Sequence, residues 1–179
     1  RQHFVYHSCR NRHCPACQFL PTERWIDARR QDLLPIPYFH VVFTIPSELH
    51  GLFRSNQRLC YSLLFRAASH TLLTLAADPK HLGASVGFIA VLHTWTQDLA
   101  YHPHLHCIVT GGGLSLDRRR WVSSRDDFFI HVDVLGSLFR GKLLHHLKAA
   151  VRRGDLHPDP EQPFDRLLAP LYKKKWIAY

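Results

Sequence analysis

The sequence predicts an α+β protein with a central antiparallel sheet and helices packed on it. Segments rich in β-branched and aromatic residues alternate with two long segments of helical periodicity. The two central strand candidates are separated by only nine residues. A connection of this length suits a hairpin better than a helical crossover, so the strands are expected to run antiparallel.

The first half of the chain predicts two helices and one strand. Glu23 to Leu34 has a helical pattern, with Thr22 as its N-cap and Pro35 at its end. Phe39 to Ile45 is typical of a buried strand. Apolar residues at helical spacing predict a long helix over Asn56 to Ala77. The expected buried face of that helix consists of Cys60, Leu63, Leu64, Ala67, Ala68, Thr71, Leu72 and Leu75.

The second half predicts the hairpin and a further helix. Val86 to Thr94 and His104 to Thr110 are the two hairpin strands, and the glycines 111–113 predict a turn after them. Phe128 to Val132 is a candidate for a fourth strand. Asp133 is expected to cap a helix that runs to about Arg153. The rest of the chain is rich in proline and predicts loops.

Composition and charge exclude several classes of protein. The chain has 179 residues, of which 46% are hydrophobic and 21% charged, which excludes disordered and fibrous proteins. It has no apolar run long enough to span a membrane. The net charge of +9 indicates a polyanionic partner, most often nucleic acid. Because the chain contains no Met, we expect it to be an internal piece of a longer protein.

Three of the five cysteines fall within nine residues at the amino end. No secretory signal precedes them, so metal ligation in a reducing compartment is expected rather than disulfide pairing. Cys14 and Cys17 form a C-x2-C pair, and a tight turn would direct both thiolates at one Zn²⁺. The remaining candidates are Cys9 or His13 for the third ligand and His3 or His7 for the fourth.

The most informative segment is the strand candidate that contains His104 and His106. Residues two apart in a strand point to the same face, so both imidazoles are expected on one side and Leu105 on the other. Two imidazoles can hold one divalent cation and leave positions open for water and substrate. Such a cation can polarise a phosphodiester oxygen. Candidates for a third ligand are Gln97, Asp98, His93 and His131.

Four segments of the chain resemble rolling-circle insertion-sequence transposases of the two-tyrosine HUH type. Residues 102–107, His-Pro-His-Leu-His-Cys followed by three glycines, resemble the His-hydrophobic-His motif of these enzymes. Residues 39–46 resemble their first-strand motif, and residues 92–99 resemble the segment that leads into the histidine pair. Residues 6–18 resemble the latter half of the zinc-binding domain that these transposases contain.

The resemblance implies an HUH endonuclease-like sheet and two domains. Residues 1–20 would be a partial transposase zinc-binding domain. Residues 21–179 would be the catalytic domain, truncated before the helix that carries the nucleophile. The implied activity is metal-dependent nicking of single-stranded DNA and strand transfer through a tyrosine–DNA intermediate. The implied setting is bacterial-type and cytoplasmic, on single-stranded DNA at the ends of a mobile element.

The resemblance also assigns the ligands. His104 and His106 would hold Mg²⁺ or Mn²⁺, with Gln97, upstream of the pair, completing the site. Zn²⁺ would bind Cys9, Cys14 and Cys17. Because the family nucleophile would lie after this chain, Tyr172, in a Tyr-x-x-Lys pattern, and Tyr179 are the less favoured nucleophile candidates within it.

Clusters of basic residues are candidate DNA contacts, because Lys and Arg neutralise backbone phosphates. Trp121 and Trp176 are candidates for stacking on unpaired bases. The expected phosphate contacts are Arg10, Arg12, Arg118, Arg119, Arg120, Lys173, Lys174 and Lys175, with Arg29, Arg30, Arg152 and Arg153 as further candidates.

Two other interpretations fit part of the sequence. The chain could be a non-catalytic, zinc-dependent DNA-binding module, in which changes at the histidine pair would leave function intact. His102, His104 and His106 also match the alternation of histidine-triad nucleotide hydrolases. In that class the central histidine is a covalent nucleophile and no metal is required, so metal dependence separates the two enzymes.

Overall fold

A computed structural model describes residues 7–9, 11, 14–125, 127, 129–160, 163–176 and 178. The chain divides into two compact units, Arg1–Ile36 and Pro37–Tyr179. The domain boundary expected after residue 20 falls inside the first helix, α1, which spans Pro15–Gln31. The boundary between the two compact units therefore lies 16 residues after the predicted domain boundary.

Helix α1 begins earlier than the sequence predicted. Cys14 occupies the N-cap position, and Pro15 lies in the first turn, where its missing N–H is not needed. Pro21, which precedes the predicted N-cap Thr22, lies inside the helix and removes one backbone hydrogen bond. Thr22 is therefore an interior residue and not the N-cap. None of the side chains of α1 is buried.

The second unit is built on an antiparallel sheet, and the predicted fold class is confirmed. Its strands are β1 (Tyr38–Thr44), β2 (Ala84–Trp95), β3 (Tyr101–Ser115) and β4 (Trp121–Ser123). The order is β1-β3-β2, and β4 also pairs with β3. The predicted hairpin joins β2 and β3, but both strands are longer than expected and the loop between them is only residues 96–100.

The glycine run 111–113 is not a turn, because it lies inside β3. A Cβ on Gly111 would come within 2.7 Å of the carbonyl oxygen of Pro37, and a Cβ on Gly113 would overlap the carbonyl of Ser85. The middle glycine has a φ of 146°, a conformation that side chains disfavour. The run therefore marks close approach of neighbouring backbones rather than a chain reversal.

The expected fourth strand over Phe128 to Val132 is also wrong. The described residues there form bends, residue 128 lies outside the description, and Val132 opens a helix. The fourth strand is instead β4, which has only three residues. A strand this short has no periodicity that a sequence pattern could reveal.

Helices cover one face of the sheet. They are α2 (His50–Ser55), α3 (Gln57–Ala77) and α4 (Val132–Arg152), and α3 packs against both α4 and β2. All eight residues predicted for the buried face of α3 are buried. His131, rather than Asp133, is the N-cap of α4. None of the described helices is long and apolar enough to cross a membrane.

The proline-rich end of the chain is more ordered than the sequence suggested. It contains helix α5 (Phe164–Leu168) and a 3-10 helix (Ala169–Tyr172). Leu171, Trp176 and Ala178 are buried in the main core. The expectation of loops was therefore wrong, because scattered apolar residues between prolines pack against the helical layer without a regular period.

The glycine run gives a test of the sheet. Gly111→Ala should lower the free energy of unfolding by about 1–3 kcal/mol, since the added methyl group meets the Pro37 carbonyl. The matched control is Gly141→Ala in α4, where the added carbon meets nothing within 4 Å. That change should raise stability by about 0.5–1 kcal/mol. Urea denaturation measures both, and equal stability of the two variants would contradict the close approach at Gly111.

Candidate metal centre and nucleic-acid interface

Strand β3 separates apolar from polar side chains. Leu105, Cys107 and Val109 are fully buried towards the core. His104 and His106 alternate with them and therefore lie on the opposite face of the sheet, where they are half-buried. The predicted placement of the histidine pair on one face agrees with this arrangement.

A third imidazole joins the pair from the neighbouring strand. His93 of β2 is the direct antiparallel partner of His104. Nitrogen atoms of His93, His104 and His106 all lie within 4.8 Å of one another, and we call these three residues the histidine cluster. The ring centroids of His93 and His106 are 4.3 Å apart. Three imidazoles that converge in this way suit a divalent transition-metal ion.

Two of the other candidates for the third ligand, Asp98 and His131, do not belong to the histidine cluster. Gln97 and Asp98 are in the loop between β2 and β3, and the cluster of potential ligands does not include Asp98. The ring of His131 accepts a hydrogen bond from the backbone N–H of Asp133 at 3.2 Å, as the N-cap of α4. Gln97 as a ligand remains a prediction.

Two members of the histidine cluster, His93 and His106, have lowered pKa values. Burial lowers the pKa of His93, and the neighbouring His104 lowers it further. Burial is also the main cause that lowers the pKa of His106, followed by His93, His104 and His40. Neutral imidazole is the form that binds metal ions, so the lowered pKa values of His93 and His106 favour cation binding.

Hydrogen bonds orient two of the rings. The Nδ1 of His104 lies 2.6 Å from the carbonyl oxygen of His102. A carbonyl only accepts, so Nδ1 of the neutral ring carries the hydrogen and Nε2 keeps a free lone pair. The Nδ1 of His106 lies 2.8 Å from Nε2 of His40 on β1. His40 was not identified from the sequence, because the register of β1 against β3 is needed to see the contact.

A second group beside the cluster was also missed. The ring centroid of His50 lies 5.6 Å from that of His102 and 5.7 Å from that of Tyr101. Burial lowers the pKa of His50, with His102 and Arg54 adding to the effect. The Arg54 guanidinium lies 4.8 Å from the centre of the Tyr101 ring. His50 and His102 therefore form a further pair of imidazoles beside His104, whose ring centroid lies 5.2 Å from that of His102.

The cysteines of the amino-terminal unit converge as predicted. The sulfur atoms of Cys9, Cys14 and Cys17 all lie within 4.8 Å of one another, with Cys9 and Cys17 3.3 Å apart. Hydrogen bonds, the strongest from Ser8, lower the pKa of Cys17 to about 6. A thiolate is the form that ligates zinc, so this donor set fits Zn²⁺. His7 is described and does not belong to this cluster, whereas His3 and His13 lie outside the described residues, so the fourth ligand remains a prediction.

Tyr172 is not brought to the histidine cluster. It lies in the 3-10 helix, and Lys148 of α4 places its ammonium 4.9 Å from the centre of the tyrosine ring. Helix α4 covers the core face of the sheet, as the contact between Phe43 of β1 and Phe139 of α4 shows. The histidines are on the other face. Tyr179 lies outside the described residues.

Some of the candidate DNA contacts are exposed to solvent, whereas others already form ion pairs with carboxylates. Arg118, Arg119 and Arg120 are exposed in the turn between β3 and β4. Lys174 is paired with Glu48 at 2.7 Å, and Lys175 with Asp133 at 2.7 Å. Arg10 and Arg12 lie outside the described residues.

The two tryptophans also differ. Trp121, the first residue of β4, is 39% exposed and can present its ring to a ligand. Trp176 is only 4% exposed, and its Nε1 donates a hydrogen bond to the Leu171 carbonyl at 3.1 Å. The expectation that Trp176 stacks on bases was therefore wrong, because this ring belongs to the core.

Two family profiles match the chain. Residues 87–179, just over half of it, match a family described as "Putative transposase". Residues 1–45 match a transposase zinc-binding domain of the IS91 type. The chain belongs to this transposase family. The recognition from sequence motifs is thereby confirmed, and the transposase carries its cysteine cluster within the zinc-binding match.

Curated relatives of this transposase are longer than the chain. A protein of Sinorhizobium fredii named "Putative transposase y4qJ" is 48% identical over 98% of the chain and 46% of its own length. The transposase for insertion sequence element IS801 from Pseudomonas savastanoi pv. phaseolicola is 34% identical over 71% of the chain and 33% of its own length. The chain thus spans less than half of each relative.

Solved structures of a conjugative relaxase also resemble the transposase chain. The copper-bound TrwC complex with oriT DNA has a TM-score of 0.48 and 14% identity, over 83% of this chain and 67% of the relaxase. A TrwC complex with a 27-mer DNA has a TM-score of 0.46 and 13% identity, over 75% and 64%. Neither similarity bears on the reaction or the partners of this chain.

The lowered histidine pKa values predict how stability depends on pH. The unfolded chain titrates its histidines near the ordinary value of 6.5, whereas folded His93 and His106 take up protons only at lower pH. The unfolded state therefore binds more protons below pH 6.5, and the free energy of unfolding should fall there. Urea denaturation in EDTA at about pH 7.5 and about pH 5 measures the loss without titrating most carboxylates.

The matched variant for this measurement carries His93→Gln and His106→Gln. Its free energy of unfolding should fall less than that of the parent between the two pH values, because it lacks two of the histidines with lowered pKa values. A pH dependence as steep as that of the parent would contradict the assignment of the effect to the cluster. The lowered pKa values of His50, His102 and His146 leave a residual slope in both proteins.

The cysteine cluster predicts bound zinc. In a His106→Ala background, which disables the histidine cluster, the chain should purify with about one zinc ion. Cys14→Ala should abolish this zinc, whereas Cys60→Ala, at a buried cysteine of α3, should not. Elemental analysis of the purified proteins measures the content. Zinc retained in full by Cys14→Ala would rule out the cluster as the site.

Proposed function

We propose that the chain holds the nicking centre of a rolling-circle transposase, which cuts single-stranded DNA at the ends of a mobile element. The observation that supports this most directly is the convergence of His93, His104 and His106 on the face of the sheet opposite the core. Family membership supplies the transposase assignment. The DNA substrate, the cytoplasmic setting and the metal-dependent mechanism are part of the proposal.

In this proposal the three histidines hold Mg²⁺ or Mn²⁺ through ring nitrogens. When bound, the cation polarises the scissile phosphate and stabilises the charge that develops on its oxygens. Imidazole ligands carry no negative charge, so in this proposal the positive charge of the cation stays uncompensated and acts on the DNA phosphate. His104 and His106 are half-buried, which limits the access of water on their side of the phosphate, whereas His93 is exposed.

Imidazole ligands favour the softer divalent ions, whereas oxygen ligands favour Mg²⁺. The cluster consists of imidazoles, and no carboxylate belongs to it among the residues that the structure describes. We therefore expect Mn²⁺ to bind more tightly than Mg²⁺. Gln97 would add an oxygen ligand if its loop closes over the cation.

The attacking group in this proposal is a tyrosine. Its oxygen forms a bond to phosphorus, and the 3′-oxygen of the preceding nucleotide leaves with a proton as a free hydroxyl. The product is a 5′-phosphotyrosine that stores the energy of the broken phosphodiester bond. The position of Tyr172 beside α4 supports a nucleophile elsewhere in the transposase.

The turn between β3 and β4 is the proposed contact to DNA. Arg118, Arg119 and Arg120 present three exposed cations there, and Trp121 follows at once with a partly exposed ring. Cations neutralise phosphates, and an aromatic ring can stack on an unpaired base. Lys174 and Lys175 are less suitable because carboxylates already pair with them.

The test is a nicking assay on the complete reading frame with labelled single-stranded DNA from the element ends. With Mn²⁺, a nick and a protein–DNA adduct are expected on a denaturing gel. The double variant His104→Ala, His106→Ala should nick at least about a hundredfold more slowly, since it loses the charge at the phosphate. His81→Ala, at an exposed histidine between α3 and β2, is the control and should be fully active.

Two outcomes would contradict the proposal. DNA that is bound but never nicked with either metal would favour the non-catalytic, zinc-dependent DNA-binding module. An adduct formed through histidine in the absence of metal would favour the histidine-triad hydrolase. Sequencing the peptide linked to DNA identifies the nucleophile and tests Tyr172 directly.

A further inference from the structure

His40 lies against the histidine cluster without belonging to it. In the register of β1 on β3, His40 pairs with Ile108, and Val42 pairs with His106. His40 and His106 are therefore diagonal neighbours on the same face, a separation that long side chains can bridge. Their rings are nearly parallel, with an angle of 11°, and Nε2 of His40 lies 2.8 Å from Nδ1 of His106. Among the residues that the structure describes, the group whose ligand atoms all lie within 4.8 Å of one another on this face consists of His93, His104 and His106.

This hydrogen bond has two possible directions, with opposite consequences for metal binding. If Nδ1 of neutral His106 donates to His40, Nε2 of His106 keeps its lone pair and can ligate a cation. If His40 donates instead, the hydrogen of His106 sits on Nε2 and blocks that atom. The tautomer of His40 therefore decides whether His106 is ready to bind metal through Nε2.

The two histidines of β3 are thus oriented by different partners. His104 donates to the carbonyl of His102, a partner within its own strand that can only accept. His106 has no such carbonyl partner among its described hydrogen bonds and instead contacts a side chain of β1. A side-chain partner can be changed by substitution, which makes the arrangement testable.

We propose that His40 is a positioning residue, which accepts the Nδ1 hydrogen of His106 and so holds Nε2 of His106 free for the divalent cation. The inference rests on the proposed function of the cluster as a metal site. A hydrogen-bonded outer partner of this kind fixes the ring and the tautomer of a metal-ligating histidine. Because His40 is an imidazole and not a carboxylate, it performs this role without adding negative charge beside the phosphate.

The first test measures Mn²⁺ affinity of the whole chain by calorimetric titration, with the cysteine cluster preloaded with zinc. His40→Ala should weaken Mn²⁺ binding by about 10- to 100-fold, the usual effect of removing an outer hydrogen-bond partner. His40→Gln offers an amide oxygen near the position of Nε2 and should retain most of the affinity. His81→Ala should bind as the parent does, and thermal unfolding without metal verifies that each variant is folded.

The second test reads the tautomer directly and needs no metal. Long-range ¹H–¹⁵N spectra of the imidazoles should show His106 with its hydrogen on Nδ1 in the parent and in His40→Gln. In His40→Ala the hydrogen should move to Nε2 in a large share of the molecules. A merely structural role of His40 would leave the tautomer unchanged.

The results separate this inference from the proposed function. Unchanged Mn²⁺ affinity and an unchanged tautomer in His40→Ala would overturn the role of His40, even if the transposase nicks DNA. Loss of affinity in His40→Gln as complete as in His106→Ala would make His40 a ligand, which also overturns it. A weakened site in His40→Ala together with rescue by His40→Gln would support it, even if no nicking is found.

Discussion

The candidate site depends on the alternation of side chains along β3 and on the register that fixes it. Strands β1 and β2 pair with β3 on both sides throughout the histidine segment, so the strand cannot slide. A slip of one residue would carry the imidazoles into the core and expose Leu105. Burying a large apolar side chain stabilises the fold by roughly 1.5–3 kcal/mol, so the packing of the core also determines where the histidines point.

The arrangement explains how a basic protein can assemble a cation site without acidic ligands. Burial depresses the pKa values of His93 and His106, and neighbouring imidazoles depress them further. The result is a group of neutral donors on a chain of net charge +9. The lowered pKa values also reduce the free energy of unfolding at low pH, because the unfolded chain then binds more protons at these histidines than the folded chain does.

Strong periodic patterns were sufficient to predict most of the fold. The buried face of α3 follows from helical spacing, and the shared face of His104 and His106 follows from strand spacing. Features that depend on distant backbones could not be predicted. The glycines 111–113 have the composition of a turn, and only the approach of Pro37 and Ser85 shows why glycine is required there.

Only part of the candidate site could be predicted, because a local sequence pattern shows the alternation of one strand but not its pairing with other strands. Strand alternation identified the pair on β3 and left four candidates for the third ligand. The pairing of His93 with His104 and the contact of His40 with His106 both depend on register, which no local pattern encodes. Trp176 was misjudged because its basic neighbours suggested a surface segment, whereas its ring packs on Phe139.

The absence of a carboxylate from the described histidine cluster also affects the order of assembly. A site built from aspartates repels phosphate until a cation arrives, so nucleic acid must follow the metal. A site built from neutral imidazoles presents no such electrostatic barrier. Under the proposed nicking function, single-stranded DNA and the cation can therefore bind in either order, and DNA already in place would contribute its own phosphate oxygens to capture the ion.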